Sequence, residues 1–186
     1  SAESLSGEPF MDIDGNSSPG NFCPQGEIWK NSYLKPVYRM LAEAGPEFIW
    51  IDDDLRLHNH GAASYGCFCD GCFRKLSEYF GFHGSRREFA VFFDRGSAEE
   101  LRERRLKMLE WNRQVLASAF IFIRQTVHEV NPDIILGKMD CLDLWESDRK
   151  RQAPLLGGEG GGSVWWRPGG GAHCDTDLEE VLRKGD

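Results

Sequence analysis

The fold class of this chain is decided by residues 47–54, which read EFIWIDDD. A short apolar run of β-branched and aromatic side chains is typical of a strand buried on both faces, as the strands of parallel sheets are. The run stops abruptly at three aspartates. In parallel α/β folds, sites assemble at the carboxyl ends of the strands, so residues 52–54 are the first candidates for chemistry.

Helical and strand patterns alternate along the rest of the chain. The other predicted elements are a loop over 1–27, helices over about 32–44, 70–80 and 98–130, a strand over 133–139, a glycine-rich loop over 157–171 and a last helix near 177–184. This rhythm predicts an α/β fold with a parallel sheet and crossover helices. No linker divides the chain, so residues 1–186 are interpreted as a single region.

Composition excludes several classes of function. The 186 residues carry a formal net charge of -8, and an acidic surface repels phosphate backbones and anionic membranes. The longest apolar run, at 117–123, is far shorter than the roughly 20 residues that span a bilayer. We therefore expect no nucleic-acid partner and no membrane partner. The 21 glycines and the 12% aromatic residues suit a site that stacks on a sugar ring, and equally a loop-rich scaffold.

The cysteines predict a metal site. Cys67, Cys69 and Cys72 form a C-x-C-x-x-C cluster, whose close spacing lets three thiolates converge on one ion and strains most disulfides within the cluster. Cys23 is the candidate fourth ligand of a tetrahedral structural zinc. The reserve candidates are His58, His60 and His83, and the alternative interpretation is disulfides or plain buried thiols. Cys141 and Cys174 are interpreted as buried thiols.

The three aspartates have three interpretations on the residues alone. Crowded carboxylates raise the pKa of one member, as a general acid at neutral pH requires. Alternatively, the aspartates cap a turn and pair with Arg56, or they hold a divalent ion. Adjacent side chains on a strand point to opposite faces, so at most Asp52 and Asp54 face the same way.

Taken together, the Cys-Pro at 23–24, the strand ending at 54 and the cysteines at 67–72 resemble glycoside hydrolase family 42. The resemblance covers residues 21–80, and the helix and strand at 100–139 fit the next barrel unit. It implies a (β/α)8 (TIM) barrel with β-galactosidase activity and a structural zinc. The implied zinc ligands are Cys23, Cys67, Cys69 and Cys72.

The resemblance also implies site roles. Asp54 occupies the position of the family's acid/base glutamate, and Asp53 that of its asparagine. A complete barrel takes about 250 residues or more, whereas at most three strands are predicted here, so we expect only the central strands of a barrel. The retaining mechanism needs a second carboxylate about 5–5.5 Å from the acid, and Glu159 is the nearest stand-in. The remainder of the barrel, or a second copy, would then be a partner.

The sequence therefore predicts a glycosidase that hydrolyses O-glycosyl bonds of a carbohydrate substrate. Asp54 would be catalytic, Trp50 is interpreted as core, and the substrate-binding candidates are Asp53, Arg56, Trp166 and Arg167, the last two in a binding loop with Trp165. The alternative is a non-catalytic sugar-binding protein on a decayed barrel. A zinc-knuckle nucleic-acid module is disfavoured by the charge. Reduced thiolates favour a cytoplasmic location, and a secreted or periplasmic location is the alternative, since tightly bound zinc survives elsewhere.

Overall fold

The computed structural model describes residues 9–52, 55–57, 65–139 and 149–167. The chain divides into two compact units. Unit 1 combines Ser1–Tyr33 with Leu57–Leu116, and unit 2 combines Leu34–Arg56 with Ala117–Asp186. None of the helices within the described ranges has the length and apolar character needed to cross a lipid bilayer.

Unit 1 consists of a hairpin and helices. The hairpin pairs β1 and β2 antiparallel, where a long loop was predicted; that prediction is wrong because turn-forming residues occupy both the turn and β2 itself. The elements that begin in unit 1 are β1 (Pro9–Met11), β2 (Ser17–Phe22), α1 (Glu27–Trp29), a π-helical segment (Lys30–Leu34), α3 (Asp70–Phe80), α4 (Arg86–Asp94) and α5 (Ala98–Val130). Helix α3 has the predicted bounds, and Gly81 ends it in the left-handed conformation, with φ of 66°.

The core of unit 1 is aromatic. Phe68, Leu76, Phe89, Phe93 and Met108 form one buried cluster. Phe89 is completely buried and lies within 6.1 Å, centroid to centroid, of six other phenylalanine rings. Edge-to-face and offset ring pairs of this kind add to the stabilisation that burial alone provides.

Unit 2 contains a three-stranded parallel sheet. Its elements are α2 (Lys35–Glu43), β3 (Phe48–Ile51), the second part of α5, β4 (Ile135–Met139), α6 (Arg149–Gly157) and β5 (Val164–Arg167). The strand order is β3-β4-β5, and both neighbouring pairs are parallel. The α/β class and the parallel sheet are thus confirmed. Unit 2 alone is consistent with a piece of a barrel-like fold.

The two faces of this sheet differ. Ile49, Ile51, Leu136 and Lys138 are at most 6% exposed and lie on one face. The opposite face carries the rings of Phe48, Trp50 and Trp165, with centroid distances of 4.7 to 6.4 Å.

Gly137 occupies the centre of the aromatic face. It is in register with Trp50 on one side and Trp165 on the other. A Cβ atom at position 137 would lie 2.4 Å from Cε3 of Trp50, so glycine is required for the indole to lie across the strand. Trp50 is half-buried by this arrangement.

Several boundaries differ from the sequence predictions. The first predicted helix is split, because the π-helical segment precedes α2 and Pro36 falls in the first turn of α2. The predicted glycine-rich loop is wrong in part: residues 164–167 form β5, so Trp165 and Trp166 lie in a strand. The helix predicted near 177–184 lies outside the described residues.

Candidate functional site

Four cysteine side chains of unit 1 meet at one point. The Sγ atoms of Cys23, Cys67, Cys69 and Cys72 all lie within 4.8 Å of one another. The Cys23 and Cys72 sulfurs are 3.3 Å apart, and those of Cys69 and Cys23 are 3.6 Å apart. Cys69 is partly exposed, whereas the other three are buried. The cluster predicted from the sequence is therefore present, and it is close enough to bind one metal ion.

The sulfur spacing fits a metal ion better than it fits disulfides. A disulfide requires sulfurs about 2.05 Å apart, and all four cysteines are free thiols. A tetrahedral ion with Zn–S bonds of about 2.3 Å would hold its sulfurs about 3.8 Å apart. The two shortest sulfur–sulfur distances, 3.3 and 3.6 Å, lie slightly below that value. Four thiolates would complete a tetrahedral shell without a histidine, and His83 is exposed and outside the cluster.

Hydrogen bonds within the cluster shift the pKa values of the four thiols in different directions. A side-chain hydrogen bond with Cys23 is the main cause that lowers the pKa of Cys69, and hydrogen bonds with Cys67 and Cys72 act in the same direction. The pKa of Cys72 is raised, first by its hydrogen bond with Cys23. Four thiols this close share protons because they cannot all ionise alone, and a bound dication would favour all four thiolates.

Different elements position the ligands. Cys23 directly follows β2, and Cys72 lies in the first turn of α3. Cys69 is the N-cap residue of α3, so the turn that carries Cys67 and Cys69 leads straight into the helix. The amide of Phe68, between these two ligands, donates a hydrogen bond of 2.8 Å to the carbonyl oxygen of Met11 in β1. The hairpin and the helix thus converge on the same turn.

An open cavity of about 370 Å³ adjoins the cysteines. Its charged lining residues are Glu27, Asp70, Arg74 and Lys75, and Cys23, Cys69 and Cys72 form part of its wall. A tetrathiolate with a divalent ion carries two negative charges, so the basic side chains of α3 oppose that excess. The Lys75 amine also donates a 2.9 Å hydrogen bond to Oε1 of Gln25, which joins α3 to the segment after Cys23.

The carboxyl ends of β3, β4 and β5 form a second candidate region, in unit 2. Lys138, 1% exposed, donates hydrogen bonds to the carbonyl oxygens of Met139 and, at 3.5 Å, Asp52, which join the ends of β3 and β4. Arg167 is exposed, and its guanidinium lies 3.8 Å from the sulfur of Met139.

The predicted substrate residues are only partly placed. Asp53 and Asp54 lie outside the described residues. Arg56 is half-buried. Trp166 is half-buried, and because neighbours on a strand alternate, it and Arg167 belong to opposite faces of β5.

Glu159 does not suit the role of second carboxylate. It is exposed in the turn between α6 and β5, at the amino end of β5. The predicted acid follows the carboxyl end of β3, and β3 is parallel to its neighbours. A strand of four residues spans about 13 Å, well beyond the 5–5.5 Å that the retaining mechanism requires. The strand direction therefore disfavours Glu159 as the second carboxylate.

Arg86 borders the cysteine cluster and was not predicted from the sequence as a functional residue. Its Nε donates a 2.9 Å hydrogen bond to the carbonyl oxygen of Phe68, and its NH2 group lies 2.7 Å from Oδ1 of Asp70. The Ser85–Glu88 capping box, which is readable in the sequence, was the available signal for the helix that Arg86 begins.

Comparison with known proteins finds a likeness in structure only. No protein-family model matches the sequence, and no curated protein matches it. The fold is similar to that of β-galactosidase from Bacillus circulans sp. alkalophilus, with a TM-score of 0.57 and 18% sequence identity. The match covers 98% of this chain and 30% of the β-galactosidase chain, so this chain spans less than a third of that protein. The chain thus shares a fold with part of that β-galactosidase.

Proposed function

We propose that this chain forms part of a retaining glycoside hydrolase of the β-galactosidase type with a structural zinc site. The observation that carries the proposal is the four-cysteine cluster in a chain whose fold is similar to part of a β-galactosidase. Neither feature alone is specific. Together they agree with the order of motifs in the sequence, where the acidic strand end lies between Cys23 and Cys67.

Asp54 is proposed as the general acid/base. In the first step, its protonated carboxyl group would donate a proton to the glycosidic oxygen while a second carboxylate attacks the anomeric carbon. The resulting carboxylate of Asp54 would then take a proton from the water that hydrolyses the glycosyl-enzyme. Because Glu159 lies at the opposite end of the sheet, we assign the second carboxylate to a further barrel strand beyond the three described here.

Substrate would be held at the carboxyl ends of the strands. Asp53 and Arg56 follow β3 in the sequence, and Trp166 and Arg167 end β5. Sites in barrels assemble at the carboxyl ends of the strands, which supports these four residues as substrate ligands. An arginine there can donate two parallel hydrogen bonds to sugar hydroxyls. The indole of Trp166 offers a flat apolar surface for a sugar ring. The remainder of a (β/α)8 barrel, or a second copy of the chain, would complete the site.

The proposed zinc is structural. Four thiolates fill a tetrahedral shell and leave no position for a reacting water, so the ion supplies rigidity and no step of hydrolysis. Its ligands bind the segment after β2 to the start of α3. Thiols that remain reduced fit the cytoplasm as the proposed compartment.

The proposed acid/base role is tested with aryl β-galactosides and the intact protein. Asp54→Asn should slow hydrolysis of phenyl β-galactoside by a factor of about 100 or more, because phenol is a poor leaving group that needs a proton. Hydrolysis of the dinitrophenyl galactoside should be slowed less in its first step, and added azide should yield a galactosyl azide. Asp133→Asn is the matched control, because Asp133 is an exposed aspartate at the amino end of β4, away from the proposed substrate residues. Equal rates for wild type and Asp54→Asn on both substrates would remove Asp54 from the mechanism.

A non-catalytic carbohydrate-binding protein is the second candidate function. The position of Glu159 favours it, because this carboxylate lies at the amino end of β5 and not at the carboxyl end of the sheet. Calorimetric titration with galactose and lactose separates the two functions. Binding without any release of product from the intact protein would establish the second function in place of the first.

A further inference from the structure

The turn between two metal-ligand candidates is held by contacts that involve no cysteine. Phe68 stands between Cys67 and Cys69, and its ring is 1% exposed in the aromatic core. Its amide donates to Met11, and its carbonyl oxygen accepts the 2.9 Å hydrogen bond from Nε of Arg86. The hydrogen bond to Met11 joins two main-chain groups, whereas the hydrogen bond to the Phe68 carbonyl comes from the side chain of Arg86.

Arg86 is well placed to hold this turn. It is the first residue of α4, and the N-cap Ser85 accepts a hydrogen bond from the Glu88 amide while the Glu88 carboxylate accepts from Ser85, so the helix start is well defined. The guanidinium carbon lies 5.6 Å from the centroid of the Phe73 ring. Gly15 lies in the hairpin turn and has a positive φ of 92°. A Cβ atom added to Gly15 would lie 3.4 Å from NH1 of Arg86, so the hairpin turn also borders this side chain.

The hydrogen bond of Arg86 to Phe68 should matter more than its ion pair with Asp70. Asp70 is 99% exposed, so its ion pair with Arg86 is screened by water. The bond to Phe68 is partly buried and fixes the main chain between two ligands. Groups that hydrogen-bond around a metal site orient its ligands, and their removal typically weakens metal binding by about 10- to 100-fold.

We propose that Arg86 is a positioning residue of the metal centre: its guanidinium holds the Phe68 carbonyl so that the sulfurs of Cys67 and Cys69 face the ion. The inference rests on the proposed metal centre and is independent of the glycosidase activity. A lysine at this position would keep the charge but offer no planar fork that reaches both acceptors.

Metal titration tests the inference. The affinity of the purified chain for Zn²⁺ is measured by competition with a chelator of known affinity, and Co²⁺ absorption reports the ligand geometry. Arg86→Ala should weaken Zn²⁺ binding about 10- to 100-fold, with Arg86→Lys in between. Arg87→Ala is the matched control, because Arg87 is the exposed neighbour on the same helix, and its affinity should change by less than about twofold. Asp70→Asn should behave like the control.

Two outcomes would overturn the inference, and they are distinguishable. If wild type binds Zn²⁺ and the Arg86 variants bind it as tightly as Arg87→Ala, the positioning role is refuted while the metal centre stands. If wild type binds neither ion, the metal centre itself fails and the role of Arg86 fails with it. Circular dichroism of the metal-loaded variants identifies any that do not fold, and Arg86→Lys decides the matter if Arg86→Ala is one of them.

Discussion

Replacing Gly137 by alanine should destabilise unit 2 through a single contact. Gly137 is the central residue of β4, between Trp50 and Trp165 in the parallel register. The added methyl group would lie 2.4 Å from Cε3 and 2.5 Å from Cζ3 of Trp50. Carbon atoms in contact prefer about 3.5–4.0 Å, so the indole must retreat by more than about 1 Å.

The magnitude follows from the surroundings of the indole. Trp50 is half-buried and lies beside Phe48 at 5.8 Å and Trp165 at 6.4 Å, centroid to centroid, so a displaced indole changes its contacts with both rings. Overpacking of this kind costs about 1–3 kcal/mol. For a chain of this size, each kcal/mol lowers the Tm by about 2–4 °C.

A double-mutant cycle isolates this contact. The free energy of unfolding is measured by urea titration for wild type, Gly137→Ala, Trp50→Leu and the double variant. The alanine should cost about 1–3 kcal/mol beside Trp50 and much less beside leucine, which has no ring to displace. If Gly137→Ala lowers the free energy of unfolding equally beside tryptophan and beside leucine, the steric clash with the indole is not the cause. The main chain at position 137 would then itself favour glycine.

The remaining predictions concern unit 1. Phe89→Ala should lower the free energy of unfolding by about 3–5 kcal/mol, measured by denaturant titration, because a fully buried ring at the centre of the aromatic cluster is lost. Ser85→Ala should cost about 0.5–2 kcal/mol at pH 7. The pKa of Glu88 is lowered by hydrogen bonds from Ser85, so the part of the capping stabilisation that this carboxylate contributes is present above the unfolded-state pKa of about 4.3 and is lost as the pH falls through the folded-state pKa. The difference between the two proteins should shrink at low pH but not vanish, because the bond from the Glu88 amide to Oγ of Ser85 does not titrate. With Zn²⁺ at 1,000 times its Kd, calorimetry should show about 4 kcal/mol of added stability that a chelator abolishes, whereas Cys72→Ser should show neither effect.

The helices that were predicted correctly carry their signals locally. Helix α3 has apolar side chains on one face and a glycine at its end, and α5 stops before Asn131-Pro132. The glycine-rich stretch concealed α6 and β5, since Pro154 and the following glycines suggest a loop. Pairing with β4 overrides that local preference, because the strand is stabilised by a neighbour distant in sequence.

The same distinction holds for the candidate sites. Three of the four cysteines are close in sequence, so their convergence could be read from spacing. The contact of Arg86 with Phe68 joins residues 18 positions apart on different elements, and only the folded chain shows it. The end of the sheet at which Glu159 lies likewise depends on the direction of β5, which cannot be read from the local sequence.

The three anchors of Phe68 bear on how the protein would respond to metal supply. Its ring, its amide and its carbonyl are all held by partners that are not ligands. The turn is therefore shaped before any ion arrives, and little chain entropy remains to be lost on loading. We therefore expect the chain to fold during synthesis without the ion of the proposed metal centre and to bind that ion afterwards.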